Sequence, residues 1–321
     1  MNSLTLAEKR ISSLPTPILT RADNPFKRYK GFEGHAVRRA KVTGSFAKIG
    51  EAWANWTDSI NRRFNVVQIE KWYDSAVSVL EGITIHSRDV ERFNLFLIAY
   101  QDYQYFQLLS GLFLSALINS SQDTNFTIET KHFSQSDYPP AIYCLGYRNT
   151  KNIIIKETAV FLGGIGDEMQ SGTIEVSSTV HSVGMKMKGG KIVVNANVLH
   201  YVASEMEGGE VIINGNVGGG KLLHVSGDII DDGIVIFVGA GMTNGNIIIR
   251  GNADGEIGYN MKDGGIRVVG NVCREGYAFP SMIGSQASGG VIHIDGNIGR
   301  FSSWPGECKI YNKGKLIWPN L

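Results

Sequence analysis

Gly251-Asn-Ala-Asp-Gly-Glu-Ile-Gly-Tyr-Asn-Met-Lys-Asp-Gly-Gly-Ile-Arg-Val-Val269 is one complete copy of a unit that recurs through the C-terminal half of the chain. With Met261 as a register mark, the same position is held by Met169, Met187, Met206, His224, Met242, Met261 and Ala287. The intervals are 18, 19, 18, 18, 19 and 26 residues, the last being 19 plus an insertion near Cys273–Met282. Four residues before most marks stands Ile or Val, followed by Gly or Ala, as in Ile165-Gly166, Val202-Ala203 and Ile257-Gly258. Three residues after each mark stands a glycine: Gly172, Gly190, Gly209, Gly227, Gly245, Gly264 and Gly290.

Each of these glycines except Gly227 opens a short run with apolar residues at alternate positions. The pairs are Ile174/Val176, Ile192/Val194, Val211/Ile213, Ile247/Ile249, Ile266/Val268 and Ile292/Ile294. A second corner follows, usually Gly-Asn, at Gly215-Asn216, Gly251-Asn252, Gly270-Asn271 and Gly296-Asn297. Period-2 strands this short cannot bury their apolar face inside one unit. Neighbouring units stacked at about 4.8 Å can bury it together. Gly and Asn tolerate the left-handed backbone that tight corners need. The pattern predicts a parallel β-helix of about seven coils, with the Met and Ile/Val positions forming internal ladders. β-propellers and trefoils need periods near 40 residues and are set aside.

The unit [Ile/Val]-Gly-x-x-Met-x-x-Gly-(x)-Ile-x-Val-x-Gly-Asn resembles the glycine-rich β-helix at the C-terminus of the glutamate synthase large subunit. It is also similar to one of the subunits of formylmethanofuran dehydrogenase. The resemblance covers residues 150–300 or so and implies a right-handed coil. It further implies a domain without catalytic residues or cofactor, acting as a rigid spacer and subunit-contact surface.

Upstream, the pattern changes. Residues 1–30, with Pro15, Pro17 and Pro25, read as an irregular arm, and positive charge concentrates at Lys27-Arg28, Lys30, Arg38-Arg39 and Lys41. Arg38 and Arg39 are candidate contacts for an anionic partner. Helical spacing of apolar residues predicts helices over 47–63 and 68–80, and a long one over 87–119 with Ser87 as N-cap. Asp102 and several glutamines interrupt that last run, which argues against a membrane span. Residues 125–131 and 141–147 alternate as strands leading into the array. The expected class is α+β: an arm (1–30), a mainly helical domain (31–148), the β-helix (149–303) and a C-terminal cap (304–321).

Composition narrows the function. Net charge is +1 with 19% charged residues, so nothing in bulk electrostatics favours nucleic acid. The 39 glycines against 8 prolines fit a corner-rich array. Cys144, Cys273 and Cys308 match no metal spacing and read as free thiols, and the start lacks an apolar leader, so a cytoplasmic protein is expected.

Departures from the repeat mark candidate sites. In the unit around 217–233, His224 replaces Met, and Asp231 and Asp232 stand close by. A His with two carboxylates is the candidate catalytic set. With it comes an alternative reading as an enzyme or accessory subunit acting on a polar small molecule or carbohydrate. In the insertion, Tyr277 and Phe279 suit a protein contact. His181 and His200 each lie six residues before a mark and so are expected to stack, as a candidate two-ligand metal position. No cofactor is expected. The expected role is a scaffold that contacts another protein or a second copy of itself.

Overall fold

The computed structural model describes residues 44–61, 68–101, 103, 105–133, 142–156, 162–218, 222–223, 229–230, 236–272, 282–299 and 305–319. By packing, the chain divides into two compact units, Met1–Thr84 and Ile85–Leu321. The two later helices pack on the strands and belong with them to the second unit.

The first unit contains α1 (Ser45–Asn61) and α2 (Ile69–Val79). Helical spacing puts Ala47, Ile49, Trp53, Trp56 and Ile60 on one face and Ile69, Trp72, Ala76, Val79 and Leu80 on another; Ile49, Trp53, Trp56, Ile60, Trp72, Ala76 and Leu80 are buried, whereas Ala47 and Ile69 are half-buried and Val79 is exposed. The Trp56 indole N–H donates to the Trp72 carbonyl and the Ser75 hydroxyl, so its one polar atom stays satisfied inside.

The second unit begins with α3 (Ser87–Phe96), a 3₁₀ turn over Leu97–Tyr100, and α4 (Phe106–Ser120). The single helix expected over 87–119 is therefore two. The break falls at Tyr105, whose φ of 64° leaves the right-handed helical region. His86, not Ser87, is the N-cap, and the Asp89 carboxylate accepts from its backbone N–H.

Strands follow in order: β1 (Asn125–Glu129), β2 (Ile142–Tyr143), β3 (Asn152–Lys156), β4 (Leu162–Gly163), β5 (Thr173–Val176), β6 (Val180–Val183), β7 (Lys191–Val194), β8 (Val198–Val202) and β9 (Glu210–Ile213). Then come β10 (Leu222–Leu223), β11 (Ile229–Ile230), β12 (Phe237–Val238), β13 (Asn246–Ile249), β14 (Glu256–Ile257), β15 (Gly265–Val268), β16 (Val291–Ile294), β17 (Lys309–Asn312) and β18 (Lys315–Trp318). From β1 to β9 and again from β12 to β15 they alternate between two sheets, β10 and β11 pair only with each other, and β15 to β18 all lie in the first sheet. The first runs β1-β3-β5-β7-β9-β13-β15-β16-β17-β18, parallel except for its last pair; the second runs β14-β12-β8-β6-β4-β2 and is all parallel. A third ladder of single parallel bridges joins Val198, Val217, Ala253, Val272 and Ile298.

Register follows the repeat. Ile174, Ile192, Val211, Ile247, Ile266 and Ile292 pair in succession, and all are buried. Met169, Met187, Met206, Met242 and Met261 are fully buried. A Cβ placed on Gly190, Gly209, Gly245, Gly264 or Gly290 would strike the methyl of the preceding Met in the stack, which is why the position three after the mark is glycine. The residue just before the mark is left-handed in every described repeat: Glu168 (φ 54°), Lys186 (55°), Glu205 (56°), Gly241 (67°), Asn260 (51°) and Gln286 (57°).

Two expectations need correction. First, the unit marked by His224 is not a rung of the ladder. β9 pairs directly with β13, β8 with β12, and Val217 with Ala253, so the rung that precedes Gly218 bonds directly to the one that follows Ile236. Between Gly218 and Ile236, β10 and β11 pair with each other in antiparallel fashion. Second, the array starts one unit earlier than Met169. Leu145-Gly146, Asn149 and Ile153/Ile155 repeat the pattern, with buried Asn149 in the Met position and Arg148 left-handed before it (φ 51°). The Asn149 amide explains the exchange: it donates to the Lys151 carbonyl and accepts from the Lys151 N–H, closing its own turn.

Both ends of the strand array are covered. α4 lies on β2 at Gly111, where any Cβ would collide with the Tyr143 carbonyl. The fully buried Ser115 hydroxyl accepts from the Gly146 and Tyr147 N–H groups. α3 covers β1, with Asn94 donating to the Glu129 carbonyl. At the far end β17 and β18 turn as an antiparallel hairpin through Lys313-Gly314. Among the described residues no helix is long and apolar enough to cross a membrane.

Candidate binding face on the second sheet

In each repeat the residue four before the mark points inward, as the buried Val183, Val202, Val238 and Ile257 do. Strand alternation therefore turns the residue five before the mark outward. That column reads Cys144, Gly164, Ser182, Tyr201, Phe237, Glu256 and Met282; Cys144 and Gly164 at its head are buried, and exposure begins at Ser182. Tyr201 and Phe237 are direct partners on β8 and β12, their rings stacked at 5.9 Å and 17°. Tyr259 joins them, its centroid 5.9 Å from that of Phe237, and its hydroxyl donates to Gln286 in the next repeat. Tyr201 remains 40% exposed and Met282 37%. Adjacent rungs thus lay three aromatic rings side by side on one face, and Glu256 stands between Phe237 and Met282 in the outward column.

One residue further out, six before the mark, the column reads Tyr143, Gly163, His181, His200, Ile236 and Gly255. Tyr143 lies over Gly163, where a Cβ would meet its ring at 2.5 Å, and packs edge-on to His181 with centroids 6.4 Å apart. His181 and His200 lie on paired strands β6 and β8, with ring centroids 4.5 Å apart and planes tilted by 49°. His200 is 2% exposed, and neither of its ring nitrogens meets a hydrogen-bonding group of the protein; nor does the buried Nδ1 of His181. Burial, and secondarily the adjacent His181, push the His200 imidazole down to about 4, and burial lowers His181 as well. Both rings are neutral at pH 7.

A further polar group near this face was not legible in the repeat. Asp167, two before its mark, is buried; its Oδ1 accepts from the Met185 N–H at 3.0 Å, and burial raises its carboxyl to about 7. Beside it, burial would raise Glu168, but hydrogen bonds from Arg148 and Tyr147 outweigh that and hold it low. The Arg148 Nε donates to Glu168 at 2.8 Å. The Cys144 thiol is buried, and burial together with Asp167 and Glu168 pushes it up, so it stays protonated and unreactive.

On the first sheet, cross-strand register sets Arg267, His293 and Tyr311 side by side. His293 stacks on Tyr311 at 4.7 Å, and Arg267 donates twice to Asp295, around a pocket of about 300 Å³. Pairing across the 26-residue step, invisible in a single repeat, builds that group.

His224, Asp231 and Asp232, the insertion residues Tyr277 and Phe279, and Arg38 and Arg39 all lie outside the described residues. No protein-family model matches the chain, and no curated protein proves similar to it.

Proposed function

We propose that residues 142–318 wind as a right-handed parallel β-helix, and that this solenoid is a rigid, non-catalytic platform for contact with another protein. Support for the winding comes from strands that alternate between two parallel sheets, with a third ladder of bridges between them. Parallel strands joined by crossovers take the right hand almost without exception. The resemblance of the repeat to the glutamate synthase β-helix, a domain that bears no catalytic residues, points the same way.

The observation that carries the contact role is the face of Tyr201, Phe237, Tyr259 and Met282 on adjacent rungs. Aromatic residues and Met are the side chains enriched at the cores of protein interfaces, and rings held by stacked strands lose little freedom on binding. With the ends of the array occupied by α3, α4 and the β17–β18 hairpin, the flank is where such a body presents area.

The double variant Tyr201→Ser/Phe237→Ser tests the reading. Native co-purification and light scattering should show loss of the partner, or of self-association, while the circular dichroism spectrum stays unchanged. Each ring at the centre of an interface is worth about 2 kcal/mol or more, a roughly thirtyfold effect apiece. A wild-type chain that runs as a monomer and retains nothing under native conditions defeats the proposal.

A further inference from the structure

Along the outward central column of the first sheet, β7, β9 and β13 carry Val193, Ile212 and Ile248, and β15, β16 and β17 carry Arg267, His293 and Tyr311. A column of β-branched side chains is what a sheet surface favours, so the switch to polar ones is not a requirement of the sheet. With Asp295 and Gly314 these side chains enclose the pocket of about 300 Å³. Its walls are set in advance. Arg267 donates through Nε and Nη2 to one Asp295 oxygen, and the His293 ring lies nearly parallel to that of Tyr311, 15° apart at 4.7 Å. Gly314 leaves its side of the pocket open, with nothing within 4 Å of where a Cβ would stand.

The groups left over in the pocket are polar and balanced. The Arg267 Nη1, the second Asp295 oxygen, the ring nitrogens of His293 and the Tyr311 hydroxyl bond to no other described residue. Donors thus stand beside acceptors, and the guanidinium is already opposed by a carboxylate. We propose that this pocket binds a neutral sugar ring, whose neighbouring hydroxyls each give and take a hydrogen bond. A vicinal diol matches the Arg267–Asp295 pair: one hydroxyl accepts from Nη1 and the next donates to the free carboxylate oxygen. His293 and Tyr311 complete the set from the other wall. The volume lies at the small end for ligand pockets and suits a single ring. Because the walls are already oriented, little ordering opposes binding. Asp295 is the only carboxylate in the lining, and glycoside hydrolysis ordinarily takes a pair, so the pocket holds a sugar without cleaving it.

Saturation-transfer NMR of the full chain at pH 7.5, with methyl glucoside, methyl galactoside and methyl mannoside as probes, tests this. At least one should bind saturably with millimolar affinity, the level of so small a polar ligand. Asp295→Asn should weaken that binding about tenfold or more, and Tyr311→Phe, which keeps the ring stack, about threefold. Glu175→Gln, in the same column on β5, should leave it unchanged. If Asp295→Asn does not fold, Tyr311→Phe carries the comparison alone. Absence of saturable binding of all three probes, equal affinity in wild type and the folded pocket variants, or displacement of the sugar by inorganic phosphate overturns the assignment. None of these results touches the contact platform, which rests on Tyr201 and Phe237 of the other sheet.

Discussion

At Gly209, φ is 95°, and an added Cβ would lie 2.7 Å from both the Gly190 carbonyl oxygen and the Met187 methyl. Gly314, in the terminal hairpin, is also left-handed, with φ 75°, but has nothing within 4 Å of that point. The two positions separate backbone strain from packing. Gly314→Ala should cost about 1 kcal/mol, the penalty of the left-handed region alone. Gly209→Ala adds a collision with backbone that cannot move without disturbing two rungs, and should cost about 3 kcal/mol or more. Urea denaturation of both variants checks the difference; equal losses would mean that the rungs yield. The marks themselves were readable because the Met of one rung packs on the glycine that stands three residues after the mark of the next rung in the stack. The left-handed residue before each mark was not readable. Glu, Lys and Gln hold it at Glu168, Lys186, Glu205 and Gln286, and only the stacked neighbours compel that conformation.

Among the elements, the segment between Gly218 and Ile236 is the most informative departure. Its sequence keeps the 18-residue spacing, so periodicity alone assigns it a rung. Yet β9 bonds directly to β13, and the methyl of Met206 packs at Gly245, two marks downstream. Gly218 lies against Ile236, since a Cβ there would be 2.8 Å from the Ile236 Cδ1. The ladder is therefore continuous from the rung before Gly218 to the rung after Ile236. Replacing residues 219–235 by a short Gly/Ser linker should preserve the far-ultraviolet spectrum and move the melting temperature by only a few degrees. The reason is that the rungs on either side already bond to each other, and changing the length of a connection alters its closure free energy by only about 0.6 kcal/mol per doubling. Loss of cooperative unfolding would show that the segment holds the rungs together. The helix break at Tyr105 has the same character. The apolar run over 87–119 is continuous enough for one helix, but α3 serves β1 and α4 serves β2, and a single straight helix cannot reach both.

For the molecule as a whole, stability versus pH combines opposite contributions from the second sheet. His200 titrates near 4 in the fold and near 6.5 when unfolded, so the unfolded chain gains a proton first. Stability is lost as pH falls from about 6.5 toward 4. Asp167, raised to about 7 from an ordinary value near 3.8, acts in reverse: the fold keeps its proton while the unfolded chain releases it, so stability is lost as pH rises from about 4 to 7. Asp167→Asn should therefore stabilise the protein at pH 8, where wild type must bury a carboxylate, and change little at pH 4. Denaturant midpoints at the two pH values decide it; a loss at pH 8 would mean that the carboxylate is worth more to the Met185 N–H than its burial costs.

What the sequence by itself determined is the repeat: period-2 strands between glycine corners are a local pattern, and their stacking follows because a short strand has no other place to bury its apolar side. Which rungs bond directly to each other, where the array begins, how α3 and α4 divide its end, and which outward residues meet as a face were decided by tertiary structure alone. Those outcomes depend on register between strands 18 to 36 residues apart, and register is set by the whole set of neighbours competing for the same backbone hydrogen bonds.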